Sequence, residues 1–175
     1  MSHNITNTPV ELRAVEPADL DFLYLAENDA QAWSNAATVA PMSRLLLQQY
    51  IEQYQADIYS DRQLRLIATH PSCNEPIGIA DLYDFDPRNS RAGVGIYITP
   101  ALRNQGWGAQ LLTALCHYAQ SFLGIHQLYA IIAADNEPSR RVFERCVFTH
   151  VATLPQWMKR GNSYADAIMV QRIEP

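Results

Sequence analysis

Apolar and polar residues alternate over VELRAV (Val10–Val15), the period of a half-buried strand. Pro17 then opens EPADLDFLYLAEND, where Leu20, Leu23, Tyr24 and Ala26 fall at helical spacing and the proline sits in a first turn that tolerates it. After the polar and aromatic stretch AWSNAATVAP, Ser43 can cap a second helix with Leu46, Tyr50, Ile51 and Tyr54 along one face. Gln63–His70 reads as a strand followed by the turn PSCNEP, Pro76–Asp86 as a strand ended by Pro87, and Arg91–Pro100 as a third. From Gln105 to Phe122 the period returns to that of a helix, through Leu111, Leu112, Leu115, Tyr118, Ala119 and Phe122, with Gly124 as its stop. HQLYAIIAA is a buried strand, Pro138 starts a short helix running to Cys146, VFTHVATL is a strand, and Ser163–Ile173 closes the fold after the turn RGN. The predicted order is β α α β β β α β α β β, an α/β (α+β) arrangement. Without internal repeats or a linker, it predicts one domain over residues 1–175.

Composition narrows the function without choosing it. Of 175 residues, 48% are hydrophobic and 18% charged, which suits a packed core. The formal charge of −5 leaves no footprint for nucleic acid or an anionic membrane and mildly favours cationic partners. Cys73, Cys116 and Cys146 are an odd set without C-x-x-C spacing, which fits a reducing compartment. The polar N-terminal stretch is no signal peptide, and no apolar run approaches the roughly 20 residues of a membrane span. A cytoplasmic protein is the expectation. The five histidines are scattered without an H-x-x-x-H pair, so no metal site is expected.

The chemistry starts at RNQGWGAQLL, residues 103–112, where two glycines stand at the start of a predicted helix. Each weakens a helix by roughly 1 kcal/mol relative to alanine. A helix N-terminus carries unpaired N–H groups and partial positive charge, and residues without Cβ let a phosphate approach the backbone, with Arg103 adding a charged contact. A plain turn is the competing reading. No G-K-[ST] follows, so this is no P-loop, and Gly93 and Gly95 lie within a strand rather than after one, unlike a dinucleotide fingerprint. Asn136 and Ser139 of NEPSRRVFERCVF also begin a helix at a strand end. In isolation, capping is the better reading of them, with Asn136 as N-cap and Ser139 in the first turn.

Taken together, RNQGWGA and N-x-x-S-x-x-x-F resemble the acetyl-CoA pyrophosphate loop and following helix of the Gcn5-related N-acetyltransferase superfamily. The element order resembles that superfamily's too, from Leu12 to Ile173. LYDFDPRNSRAGVGIYITPALRNQGWG looks most like the spermidine and spermine acetyltransferases, a pattern that ribosomal-protein N-terminal acetyltransferases largely share.

The resemblance implies a mixed sheet of about seven strands flanked by four helices, splayed between the fourth and fifth strands, with acetyl-CoA as cosubstrate. It implies that Arg103, Asn104, Gln105, Gly106, Trp107, Gly108 and Ala109 hold the pyrophosphate, with Asn136, Ser139 and Phe143 beside the arm. Ile96 and Ile98 would pair with the arm through their backbone, and the amide of Tyr97 or Ile98 would polarise the acetyl carbonyl. The sequence departs from the superfamily at Phe143, where a tyrosine often serves as general acid, and at Val147, where glycine is usual. Tyr97 and Tyr129 are the candidate replacements for the missing hydroxyl.

For the acceptor, Asp84 and Asp86 end the strand before the splay and share a side if extended, so that either could draw in a cationic amine and Asp84 could take its proton. Ordinary turn composition accounts for D-F-D-P-R-N as well. Glu27 and Asp29, at the end of the first helix and the loop beyond, are further substrate candidates against the reading of a solvated helix end, and Trp33 of that loop could pack over an aliphatic amine against the reading of core packing. The expected function is acetyl transfer to a small amine, polyamines leading, by direct attack in a ternary complex. A protein N-terminus is the alternative acceptor, and a non-catalytic acetyl-CoA-binding module the rival class. Relatives of polyamine type imply a homo-oligomer, which these residues do not by themselves specify.

Overall fold

A computed structural model describes residues 10–33 and 40–174. The polar N-terminal stretch and most of AWSNAATVAP therefore lie outside the described residues. The elements are β1 (Glu11–Arg13), α1 (Leu20–Glu27), α2 (Ala30–Trp33), α3 (Arg44–Gln53), α4 (Ile58–Asp61), β2 (Leu64–Thr69), β3 (Pro76–Asp86) and β4 (Arg91–Ile98), followed by α5 (Trp107–His117), β5 (Gln127–Ala133), α6 (Glu137–Arg145), β6 (Thr149–Arg160) and β7 (Ser163–Ile173). One seven-stranded sheet runs in the order β1-β2-β3-β4-β5-β7-β6, antiparallel throughout except for the β4–β5 pair. This is the expected mixed sheet, with the one-turn helices α2 and α4 added.

Alternation along the strands separates two cores. Leu64, Leu66, Ala80, Leu82, Ala92, Val94, Leu128 and Ala130 face α5, whose Leu111, Leu112 and Leu115 are fully buried. Ile67 and Ile79 face the other way and pack with Leu23 and Ala26 of α1 and Leu47 of α3. Ser43 caps α3 by accepting from Leu46 N–H at 3.1 Å, as its position predicts. The buried residue on α3 is Leu47, however, while Leu46 stays half exposed, because the face is set by the 47, 50/51, 54 spacing.

Three boundaries differ from the sequence pattern. Pro17–Asp19 forms a 3-10 turn ahead of α1, where Asp19 accepts from Glu16 N–H and from both Arg13 terminal nitrogens. The helix expected to run to Phe122 is α-helical only to His117 and ends in a π-helical turn, Tyr118–Phe122, before Gly124 at φ +67°. The strand expected to end at Leu154 runs on to Arg160, since β6 is an edge strand where Pro155 has no ladder donor to lose. Its register breaks between Leu154 and Met158, and Gln156, at φ +51°, donates its N–H to the Asp166 carboxylate at 2.8 Å.

Candidate active site

The parallel β4–β5 ladder holds only three pairs, the last Gly93 with Tyr129. Beyond it the strands part, and the register shows which groups are freed. Thr99 donates to Ile77, so the hydrogen-bonded pairs between β4 and β3 fall at Tyr97, Gly95 and Gly93. Backbone groups of Ile96 and Ile98 therefore face the gap, whereas the Tyr97 amide is turned to β3. Of the two amides proposed to meet the acetyl carbonyl, only that of Ile98 faces the opening. On β5 the bond from Ala134 to Asp166 puts the even residues toward β7 and leaves those of Ile131 and Ala133 facing the gap. Two strand edges thus stand apart, with room for an extended ligand between them, and on β4 the Ile98 carbonyl already accepts from Arg103 Nε at 3.0 Å.

At the wide end of the gap lies the N-terminus of α5. Asn104 and Gly106 both adopt positive φ, +61° and +88°, folding the loop so that the helix starts at Trp107 without any side-chain cap. The two glycines do different work. Gly106 needs the left-handed conformation, which side chains disfavour. Gly108 has no such need, and a Cβ added there would meet only Val142 at 3.5 Å and Ile96 at 3.8 Å, ordinary contacts. Protein packing therefore does not demand glycine at 108, and the open space above the first turn fits an approaching anion. Trp107 packs tilted against His70, and the Gln105 amide donates to Ala101. Asn136 caps α6 by accepting from Ser139 N–H at 3.2 Å, the bland reading, while no described residue bonds its amide nitrogen or the Ser139 hydroxyl. Uncapped amides, two free donors and two strand edges that do not pair with each other together fit a pyrophosphate with an extended amide arm.

Arg103 does not point to this loop. Its Nε donates to Ile98 O, one terminal nitrogen to Gln31 and the other to Asp29 at 2.5 Å, and it lies over the Tyr97 ring. The Tyr97 hydroxyl also donates to Asp29, at 3.2 Å. Burial works against the charge on Asp29, but the bonds from Arg103, Gln31 N–H and Tyr97 outweigh it and hold the carboxyl below its usual range. Burial and the Asp29 charge push the Tyr97 phenol up to about 12. Asp29 is thus a buried anchor joining the α1–α2 loop to the turn after β4. Trp33 is likewise anchored, its indole N–H donating to Glu27 O at 2.7 Å.

Glu27 does line a site. A cavity of about 260 Å³ lies on the α1/α3 side of the sheet, walled by Glu27, Tyr50, Tyr54, Arg65, Asp81 and Tyr83 among others. Arg65 binds Asp81 through two nitrogens, at 2.8 and 2.9 Å, and Glu27 at 2.5 Å. Burial opposes its charge, yet the two carboxylates keep the guanidinium protonated. Two carboxylates against one guanidinium leave the lining at a formal −1. Asp81 pairs across the sheet with Gly95 of β4, where a Cβ would have no neighbour nearer than 3.8 Å. The missing side chain keeps the strip between cavity and gap clear.

Asp84 and Asp86 do not share a side. Pairing of β3 with β4 slips between Tyr83 and Asp86, and Asp84 sits in the bulge at φ +48°. Burial and the nearby Asp84 charge raise the Tyr129 phenol above its usual range. Asp86 serves its own turn, accepting from the N–H groups of Arg88 and Asn89 and from the Asn89 amide, with Arg91 nearby. Phe143 is 3% exposed and packs edge-on against Phe148 at 5.0 Å, a core residue with no face on the gap's polar groups. Sequence reasoning missed Arg65, Asp81 and Tyr83. The L-R-L and A-D-L patterns signal only that Arg65 and Asp81 point away from their apolar neighbours in the chain, and which strands pair is not written locally. Among the described residues no cluster of histidine, cysteine or acidic side chains forms a metal site, and no helix is long and apolar enough to cross a membrane.

Comparison with known proteins gives the geometry a context. A family profile described as "Acetyltransferase (GNAT) domain" matches residues 10–149. The chain is similar to the spermidine N(1)-acetyltransferase of Vibrio cholerae, 23% identical over 160 residues that cover 91% of this chain and 90% of that one. Among solved structures, it is similar to the V. cholerae spermidine N-acetyltransferase in complex with CoA and spermine, with TM-score 0.84 and 21% identity over 94% and 95% of the two chains. A dodecameric structure of the V. cholerae enzyme aligns with TM-score 0.78 and 21% identity over 94% of each chain.

Proposed function

The chain belongs to the acetyltransferase (GNAT) domain family and is an acetyl-CoA-dependent N-acetyltransferase, and from that premise we propose that it acetylates a small primary amine, with polyamines the leading class. One observation carries this reading: a cavity with two carboxylates, one guanidinium and three tyrosine rings lies on the α1/α3 face over β2 and β3, and its Asp81 pairs with Gly95 of β4, which carries no side chain. A net-negative, aromatic-walled space of this size suits a protonated alkylamine rather than an anion. The polyamine class rests on the relatives, which are named for spermidine and, in one complex, hold spermine.

Acetyl-CoA supplies the acetyl group as a thioester. On the protein side, the uncapped amides of Trp107, Gly108 and Ala109 with Ser139 and Asn136 hold its pyrophosphate. The edges of Ile96, Ile98 and Ile131 align the arm, and the Ile98 amide aims a donor into the gap. Asp81, held by Arg65, orients the ammonium and receives its proton before attack. Neither Cys116, buried with its thiol pushed up to about 12 by desolvation, nor Cys146, buried between α5 and α6, offers an acyl-accepting nucleophile in the gap. The exposed Cys73 lies in the turn after β2, outside the β4–β5 gap, so attack is direct, within a ternary complex. Initial rates with both substrates varied should give intersecting lines, and mass spectrometry after acetyl-CoA alone should find unmodified protein. Parallel lines with an acetylated chain would contradict direct transfer. The dodecameric relative and the three free cysteines support a homo-oligomer in a reducing, cytoplasmic setting.

A further inference from the structure

Past its last rung with β5, β4 has a strand partner on one side only. The pair of Gly93 with Tyr129 ends the ladder, and from Val94 to Ile98 the strand is held by β3 alone. The end of its free edge is braced from the α1–α2 segment instead. Arg103 folds back after the 3-10 turn Pro100–Leu102, and its Nε donates to Ile98 O at 3.0 Å. Thr99 N–H donates to Ile77 O at 3.0 Å, so the peptide joining Ile98 and Thr99 is bonded on both sides. Asp29 holds Arg103 in turn. Its Oδ2 accepts from an Arg103 terminal nitrogen at 2.5 Å and from the Tyr97 hydroxyl at 3.2 Å, and its Oδ1 accepts from Gln31 N–H at 2.9 Å. Two consecutive residues of β4, Tyr97 and Ile98, are thus tied to one carboxylate. The segment that carries it is itself fixed. The Asn28 amide donates to Tyr24 O and Met42 O and accepts from Met42 N–H, at 2.8, 3.0 and 3.0 Å. Glu27, two residues before Asp29, reaches Arg65 in the acceptor cavity.

We propose that Asp29 is a positioning residue for acetyl transfer: through Arg103 it braces the free edge of β4 and so keeps the Ile98 N–H aimed into the gap. The inference rests on the acetyltransferase reading above. Asp29 touches no reacting atom, and its effect passes through Arg103 to the strand. A donor stabilises developing charge in so far as it is already in place, and a displacement of about 1 Å can cost about 10²-fold in rate. An edge with no second strand supplies no such rigidity unless something else holds it. The brace also ties that edge to the segment bearing Glu27, so one short stretch of chain sets the acetyl carbonyl against the amine cavity. The carboxylate is needed as such. It accepts three hydrogen bonds and donates none, whereas an asparagine would turn its NH2 toward a donor whichever way it faced.

The test binds acetyl-CoA carrying carbon-13 at the acetyl carbonyl and reads the carbonyl stretch by difference infrared spectroscopy, with no amine present. Only the bound complex is read, so a loss of stability in a variant does not enter. On wild type the carbonyl should absorb below its frequency in water, as a fixed donor in the gap requires. Asp29→Asn should lose about half of that shift or more. Arg103→Lys, which has one nitrogen where Arg103 uses separate ones for Ile98 O and Asp29, should lose as much. The double variant should lose no more than either single one, because all three break the same contact. In turnover, Asp29→Asn should lower kcat about tenfold or more with the amine KM within about threefold. A wild-type carbonyl no lower than in water, an equal shift on wild type and Asp29→Asn, or losses that add in the double variant would each overturn the proposal. A rise in KM with an unchanged carbonyl frequency would make Asp29 merely structural and overturn it too. If wild type acetylates no amine at all, the functional reading fails, and the infrared comparison still decides the role of Asp29.

Discussion

Val147 is the residue whose local physics is plainest. It follows α6 in the left-handed region, at φ +65°, and its side chain is 71% exposed. Its N–H donates to Glu144 O, and Phe148 N–H donates to Phe143 O, with the two phenyl rings in contact. That is a Schellman ending with a β-branched residue where glycine belongs, and no burial compensates. Val147→Gly should raise stability by about 1 kcal/mol, read from urea midpoints, because the left-handed conformation disfavours a Cβ by about that much. Asp19 makes the second residue-scale case. Burial opposes its charge, but Arg13 and the Glu16 N–H lower its pKa below the usual value. A group lowered on folding adds stability above its unfolded pKa of about 3.9 and loses it as pH falls through the folded value. Asp19→Asn should therefore be less stable than wild type at neutral pH, with the two converging in acid. A gap that does not narrow would contradict this.

At the scale of elements, the glycines before and within α5 separate two causes that sequence cannot. Gly106→Ala should reduce stability by about 1 kcal/mol because its φ is +88°, whereas Gly108→Ala should leave the melting temperature unchanged or raise it. Equal losses would mean that helix packing, not the ligand, keeps residue 108 bare. The period of the apolar positions was enough to read every main strand and helix in order, because each carries its own core-facing pattern. It failed where neighbours decide. Pro155 ends a strand in local terms, yet an edge position tolerates it. Asp84 and Asp86 look like a pair until the bulge turns them apart. Arg103 reads as a phosphate contact, but Asp29, distant in sequence, binds it here.

For the molecule as a whole, the working parts come from strands that separate: a ladder of three pairs, open edges beyond, a helix N-terminus at one end and a charged cavity on the far face. The motifs of the cosubstrate side were legible because loops and caps are local. The acceptor side was not, since Arg65, Asp81 and Tyr83 meet only through sheet register. This layout also predicts a division of labour, in which Asp81→Asn should raise KM for the amine about tenfold or more while leaving the acetyl-CoA Kd within about twofold. Fluorescence titration and initial rates together check it. The most direct test of the whole account is coenzyme A release, followed with a thiol reagent, from acetyl-CoA and a panel of spermidine, spermine, putrescine, aminoglycosides and short peptides with free N-termini. The account predicts turnover with the small amines and none with the peptides. Turnover with peptides alone would move the acceptor to protein N-termini, and tight acetyl-CoA binding without thiol release from any amine would contradict an enzyme altogether.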